Sequence, residues 1–236
     1  MKFSTSPLQD STRFARTALT AGALALLLLG CGAKESEGRG QPTDSIVGDS
    51  SGTLSASERI DSGFRTVPSD TLTDQSGRRL ALSSLRGYIW VADFIFTRCS
   101  GPCPLMSQKM AQLQQAFRDS DRVRFVSFSV DPEYDTPDRL ARYASEYGAL
   151  KEKWTFLTTG DKQRIWDLAM KGFALSAGED TTRDGRGMIF HDERFVVVDS
   201  QGEIRGYVHT KDESWKDKVV SRIAELRRES GDNDAD

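Results

Sequence analysis

The chain has 236 residues, 28% of which are charged, and its formal net charge at pH 7 is only −3. Such a balance provides no basic surface for a phosphate backbone, so it argues against nucleic acid as a partner. The length allows one large globular domain with appended segments.

The first 30 residues are typical of an export signal. Basic residues in the first 16 positions precede an apolar run over residues 18–29, which is shorter than the roughly 20 residues of a membrane-spanning helix. Residues 28–31, LLGC, resemble a bacterial lipobox, and this resemblance implies cleavage before Cys31 and lipid on its sulfur. An ordinary signal peptide followed by an incidental cysteine is the alternative. We therefore expect a lipoprotein signal peptide over residues 1–30 and a membrane-anchored, extracytoplasmic protein on the periplasmic side.

The segments that flank the domain differ from it in composition. Residues 31–62 are rich in Gly, Ser and Glu and contain few large apolar side chains, so we expect a flexible tether. Residues 228–236 are polar and charged, and we expect a disordered tail there. The globular domain is therefore expected over residues 63–227.

Strand and helix patterns alternate through this domain. Hairpins are predicted over residues 71–84 and 195–208, with Ser-Gly and Ser-Gln-Gly at their tips. The other predicted strands span residues 88–96, 123–130 and 154–158, and the first of them is almost continuously apolar. The predicted helices span residues 104–117, 136–147, 165–170 and 215–226, the second opening with a Thr-Pro cap. This order predicts an α/β fold, with a mixed sheet flanked by helices on both faces.

Two cysteines lie where the first central strand gives way to its helix. Cys99 and Cys103 occur in FTRCSGPCPLM at residues 96–106, and they are the only cysteines besides Cys31. A disulfide across so short a loop would add little stability, which leaves a redox dithiol or part of a metal site as the more informative interpretations. Sites in open α/β sheets form beyond the carboxyl ends of strands, and helix N-termini stabilise thiolates.

The chain has only two histidines. His209 ends a predicted strand beside charged residues, and we interpret it as a surface residue. His191 precedes the 195–199 strand and follows a glycine-rich stretch that allows close approach of the backbone, so it is the candidate functional histidine. The charged segment 178–194 reads as a solvated loop or as a docking face. Asp131 and Asp135 form an Asp-Pro and Asp-Thr-Pro pattern that is typical of turns and caps, with a supporting role near the site as the alternative.

Taken together, these motifs resemble the Sco/SenC family of thioredoxin-like proteins. The resemblance covers about residues 65–225 and rests on FIFTRCSGPCPLM, on SVDPEYDTPDRL at residues 129–140, and on His191 leading into RFVVVDSQGEIRGY. It implies a thioredoxin-like fold, and a membrane-tethered copper protein that assembles the CuA centre of cytochrome c oxidase. It also implies Cys99, Cys103 and His191 as copper ligands, the CuA-bearing oxidase subunit as recipient, and a copper donor or thiol-redox partner.

The chemistry of these residue types agrees with copper. Thiolates are soft donors that favour Cu(I), and imidazole suits copper as well, so the site suits Cu(I), or Cu(II) with added ligands. Structural zinc usually takes four protein ligands, and only three soft or nitrogen donors are on offer. The chain departs from thioredoxins in having three residues between the cysteines, and in lacking a proline among residues 188–191.

Three functions remain open from the sequence. The first is a copper metallochaperone. The second is an extracytoplasmic thiol–disulfide oxidoreductase, with Cys99 as the attacking thiol and Cys103 as the resolving one. The third is a tethered binding module with neither role.

Overall fold

The computed structural model describes residues 65–181 and 187–231. The predicted signal peptide, Cys31, the tether and residues 232–236 of the predicted tail lie outside these described residues. Within the described part of the chain, no helix is long and apolar enough to cross a membrane.

A seven-stranded mixed sheet forms the centre of the fold. Its strand order is β2-β1-β5-β4-β3-β8-β9. Strands β3, β4 and β5 are parallel to one another, whereas β1, β2, β8 and β9 join by antiparallel pairing. The strands of this sheet are β1 (Thr71–Asp74), β2 (Arg79–Ala81), β3 (Ile89–Ile95), β4 (Val123–Ser129), β5 (Trp154–Thr158), β8 (Arg194–Val198) and β9 (Ile204–His209). Two further strands, β6 (Ala177–Asp180) and β7 (Met188–His191), pair antiparallel as a separate ribbon.

Strand β3 lies in the interior of the sheet, between β4 and β8, and nearly all of its residues are apolar. All seven of its residues are buried, as expected for a strand covered on both faces. Its even-numbered side chains, such as Phe94, enter one hydrophobic core, while odd-numbered ones, such as Val91 and Ile95, enter the other.

Helices cover both faces of the sheet, as predicted. The helices are α1 (Cys103–Ala116), α2 (Pro137–Glu146), α3 (Lys162–Asp167) and α4 (Trp215–Glu229). Side chains of α1, α2 and α4 pack in one core with Ile95, whereas α3 and the π-helical turn Leu168–Gly172 that follows it pack in the other with Phe94. Thr136 caps α2 by accepting a hydrogen bond from the Arg139 amide, and Pro137 opens the helix.

The structure also differs from the sequence prediction in places. A 3-10 turn, Leu82–Leu85, follows the first hairpin, and α4 continues to Glu229, which includes the first two residues of the predicted tail. The largest difference is the β6–β7 ribbon in the segment expected to be a loop. Its strands have only four residues each and lie among charged residues, so they carry little apolar periodicity by which to recognise them.

Candidate metal centre

The cysteine loop leads from the end of the central strand into the first helix. Strand β3 ends at Ile95, and Cys103 is the first residue of α1, so only the second cysteine is helical. The Cys99 amide donates a hydrogen bond to the Phe96 carbonyl at 3.2 Å, which turns the loop back on itself. Pro104 is accommodated in the first helical turn, where a missing N–H costs nothing.

The third side chain of the site comes from the β6–β7 ribbon. His191 is the last residue of β7 and pairs with Ala177 of β6, so it belongs to a strand that was not predicted from the sequence. The ribbon thereby carries the histidine across to the cysteine loop, although 88 positions separate it from Cys103.

These three side chains converge on one point. The sulfurs of Cys99 and Cys103 and a ring nitrogen of His191 all lie within 4.8 Å of one another. The Cys103 Sγ lies 3.0 Å from the His191 Nε2. Two sulfurs and one nitrogen at this spacing can serve as ligands of a single ion without a change of fold.

The orientation of the His191 ring is fixed from two sides. Its Nδ1 lies 2.9 Å from the Asp192 carbonyl oxygen, which can only accept, so Nδ1 carries a proton and donates. The lone pair of the neutral ring is therefore on Nε2, the nitrogen that faces the sulfurs. The Phe96 ring packs edge-on against the imidazole, with 5.7 Å between ring centroids. A ring held in this tautomer is oriented to bind a metal.

The two thiols differ strongly in acidity. A hydrogen bond from the Cys103 thiol, assisted by His191 and opposed by partial burial, lowers the pKa of Cys99 to about 4. Burial raises the pKa of Cys103 well above its ordinary value, and the neighbouring Cys99 thiolate adds to that shift. At neutral pH the metal-free site therefore holds one thiolate, on the partly exposed Cys99, and one thiol, on the fully buried Cys103.

Two further groups respond to the charge of the site. Burial lowers the pKa of His191, but bonding to the Cys99 thiolate and to the Asp192 carbonyl outweighs it, and the pKa is raised overall. Asp93, in the middle of β3, is fully buried, and burial raises its pKa to about 7 against the opposing effects of Ser127 and His191. Asp93 was not predicted from the sequence to be a functional residue, although a lone carboxylate in an otherwise apolar strand is a visible signal.

Residues 60–227 match the family model SCO1/SenC. The chain belongs to the SCO1/SenC family. This match agrees with the resemblance that the cysteine, Asp-Pro and histidine motifs carry.

Solved structures of this family share the fold. A SCO1/SenC family lipoprotein from Bacillus anthracis is 27% identical, with a TM-score of 0.61 over 69% of this chain and 95% of that one. BsSco, described as a member of the Sco family of cytochrome c oxidase assembly proteins with a disulfide switch, is 31% identical, with a TM-score of 0.59 over 68% of this chain and 93% of that one. Copper-bound ScoI from Bradyrhizobium japonicum is 25% identical, with a TM-score of 0.55 over 69% of this chain and 98% of that one. The sheet is therefore thioredoxin-like, as predicted.

A cavity of about 400 Å³ opens onto the Cys99 side of this SCO1/SenC domain. Arg98, Cys99 and Met188 are among the residues that line it. Met188 is 59% exposed, and the apolar side chains of Leu105 and Phe190 are exposed as well. An incoming group can therefore approach Cys99 from solvent, while Cys103 lies behind it.

The remaining candidates from the sequence lie outside the ligand cluster. His209 is exposed, and its Nδ1 accepts a hydrogen bond from the Lys211 amide at 3.1 Å, as expected of a surface histidine. Asp131 and Asp135 are buried next to the cysteine loop, but the cluster of ligand atoms contains no carboxylate.

Proposed function

We propose that this protein is a copper metallochaperone that binds copper through Cys99, Cys103 and His191 and delivers it to the CuA centre of cytochrome c oxidase. The observation that carries the proposal is the convergence of two sulfurs and one imidazole nitrogen within 4.8 Å. Two relatives support it, because ScoI of B. japonicum holds copper and BsSco belongs to a family of oxidase assembly proteins.

The donor set suits copper as cargo. Two soft sulfurs and an imidazole favour Cu(I), and Cu(II) would require additional ligands. Structural zinc would require a fourth protein ligand that the cluster does not supply. Binding must displace the proton of the Cys103 thiol and any proton on Nε2 of His191, whereas Cys99 is already a thiolate.

The accessible side of the site suggests how copper leaves. A thiolate or imidazole of the recipient approaches through the cavity beside Cys99, bonds to the ion, and displaces the protein ligands one at a time. Because Cys99 is partly exposed and Cys103 is buried, the bond to Cys99 is the one that an incoming ligand reaches first.

The acidity of the thiols also favours a second candidate, a thiol–disulfide oxidoreductase. The Cys99 thiolate would attack one sulfur of a partner disulfide and release the other as a thiolate. Cys103 would then lose its proton and attack the Cys99 sulfur of the mixed disulfide, releasing the second partner sulfur and closing a Cys99–Cys103 disulfide. The partner is reduced by two electrons and the dithiol is oxidised by two. The low pKa of Cys99 and the disulfide switch described for BsSco support this candidate.

Titration of the reduced protein with Cu(I) against a competing chelator separates the two candidates. A chaperone site should bind one equivalent, and His191→Ala should lower the affinity strongly, while Cys99→Ser and Cys103→Ser should nearly abolish binding. A pure oxidoreductase should need both cysteines for reduction of a model disulfide and should be almost indifferent to His191→Ala. One-equivalent binding that is unchanged in His191→Ala would remove that residue from the ligand set.

We further propose that lipid on Cys31 holds the protein on the extracytoplasmic side of a membrane. The LLGC motif supports this, and a relative from B. anthracis is a SCO1/SenC family lipoprotein. Cells expressing the wild type should retain the protein in the membrane fraction, and Cys31→Ser should release it from that fraction. Retention of Cys31→Ser in the membrane would refute the lipid anchor.

A further inference from the structure

The carboxylate of Asp135 is bonded to the loop that carries Cys99. Asp135 is fully buried, and its oxygens accept hydrogen bonds from the Thr97 amide at 3.1 Å and from the Thr97 hydroxyl at 2.5 Å. A third bond comes from the Ser129 hydroxyl at the end of β4, at 2.5 Å. One side chain thus joins the end of β4 to a residue two positions before Cys99.

Asp131 is bonded to the next residue of the same loop. It is 1% exposed and accepts a hydrogen bond from the Arg98 Nε at 2.5 Å. Its own amide donates to the Ser129 hydroxyl at 3.1 Å, and its carbonyl accepts from the Asp135 amide at 2.8 Å. The two carboxylates therefore belong to one tight turn, and the Arg98 guanidinium also lies over the Tyr134 ring of that turn.

All three residues between β3 and Cys99 are consequently fixed by tertiary contacts. The Phe96 ring packs against His191, the Thr97 backbone and hydroxyl are bonded to Asp135, and the Arg98 side chain is paired with Asp131. The position of the Cys99 sulfur follows from that of the residues before it. Ligands held in place before metal arrives bind it more tightly, because less chain entropy is lost on binding.

We propose that Asp131 and Asp135 are positioning residues that hold Cys99 in register with Cys103 and His191. This inference rests on the copper site of the proposed function and adds to it a role for the Asp-Pro turn. The carboxylates act through Thr97 and Arg98 and do not contact the metal, since neither belongs to the ligand cluster. A hard carboxylate oxygen is also a poor ligand for Cu(I).

The test uses Asp135→Ala, with Asp74→Ala as the matched control. Asp74 is likewise buried, and it accepts hydrogen bonds from the Ser76 amide, the Ser76 hydroxyl and the Arg78 amide in the β1–β2 turn. Both variants therefore lose a buried carboxylate that holds a turn, but only one of these turns contacts the cysteine loop. Asp135→Asn, which keeps an acceptor for the Thr97 amide, serves as the conservative variant.

Two measurements are made on each protein. In the metal-free reduced state, the Thr97 amide should lose its protection from hydrogen exchange in Asp135→Ala and keep it in Asp74→Ala. In chelator competition, Asp135→Ala should lose about 10- to 100-fold in Cu(I) affinity, the range found when groups that orient metal ligands are removed. Asp135→Asn should lose less, and Asp74→Ala should bind as the wild type does even where it unfolds at a lower temperature.

The outcomes separate this inference from the proposed function. If the wild-type protein fails to bind Cu(I), the proposed copper site is wrong. Hydrogen exchange at the Thr97 amide still tests the hydrogen bond between Thr97 and Asp135 in that case. Wild-type affinity in Asp135→Ala, together with an unprotected Thr97 amide, would overturn the positioning role and leave the copper site standing. If Asp135→Ala does not fold, Asp131→Asn is the substitute, because it removes the charge paired with Arg98 and preserves the side-chain shape. Unchanged affinity in that variant would overturn the role of Asp131.

Discussion

Replacement of Asp93 by asparagine should change how the stability of the protein depends on pH. Asp93 lies on the interior strand β3 with 0% exposure, and among the described residues neither of its carboxylate oxygens has a hydrogen-bond partner of good geometry. Ser127, at the paired position of β4, accepts a hydrogen bond from the Trp154 indole at 2.9 Å, and its opposing effect on the pKa of Asp93 is smaller than that of burial. A charge in such a place is costly, so the folded protein favours the neutral acid.

The size of the effect follows from the pKa of this group. Burial raises the pKa of Asp93 from 3.8 to about 7. At 1.36 kcal/mol per pH unit, this difference corresponds to about 4 kcal/mol of folding free energy. Because the pKa of Asp93 is raised in the folded state, the stabilising contribution of its neutral form is fully present below pH 4 and is lost as the pH rises through 7. Asparagine cannot ionise, so Asp93→Asn should gain about 4 kcal/mol relative to the wild type between pH 4 and pH 8.

Urea unfolding of the reduced, metal-free proteins across this pH range measures the difference directly. Cys99 and His191 titrate in both proteins, so to a first approximation their contributions cancel in the comparison. Asp74→Asn is the control, because hydrogen bonds from Ser76 and Arg78 outweigh burial and lower the pKa of Asp74. Its difference from the wild type should be nearly flat above pH 4. A flat difference for Asp93→Asn as well would show that the carboxyl is not held neutral by burial.

Three other predictions concern the thiols and copper. The apparent Cu(I) affinity in chelator competition should rise at least about tenfold per pH unit near neutrality. The reason is that binding displaces the proton of Cys103 and, where His191 is protonated, a second proton. An affinity that does not depend on pH would contradict this proton release. Iodoacetamide at pH 6 should alkylate Cys99 well before Cys103 by mass spectrometry, since only Cys99 is a thiolate and partly exposed; equal labelling would be the wrong result. In absorbance titrations of the thiolate, Cys103→Ala should raise the pKa of Cys99 more than His191→Ala does. The hydrogen bond from Cys103 lowers the pKa of Cys99 more than the bond from His191 does. A larger rise in His191→Ala would refute this order.

The positions of the cysteines followed from the sequence because the determinants are local. The apolar run before them specifies a buried strand, and the proline after Cys103 suits a helix start, so the pair had to lie at the carboxyl end of a strand. The two-faced α/β architecture was predictable for the same reason, since the long strands and helices carry clear periodicity.

The position of His191 could not be obtained in this way. Its distance from the cysteines depends on the β6–β7 ribbon, whose pairing is a tertiary contact between short strands of mixed polarity. The resemblance to a family supplied the histidine as a ligand, but not the ribbon that carries it.

Similarly, the Asp-Pro pattern predicted a turn, and the Asp135 amide does bond to the Asp131 carbonyl at 2.8 Å. That the carboxylates of this turn bond to Thr97 and Arg98 depends on how strands β3 and β4 align, which composition does not reveal.

X-ray absorption spectroscopy of the reduced protein loaded with one equivalent of Cu(I) tests the shared site most directly. Two sulfur neighbours and one imidazole nitrogen are predicted around the copper in the wild type, and the nitrogen should be absent in His191→Ala. A wild-type spectrum with sulfur neighbours alone, unchanged by the substitution, would contradict the assignment of His191 to the site.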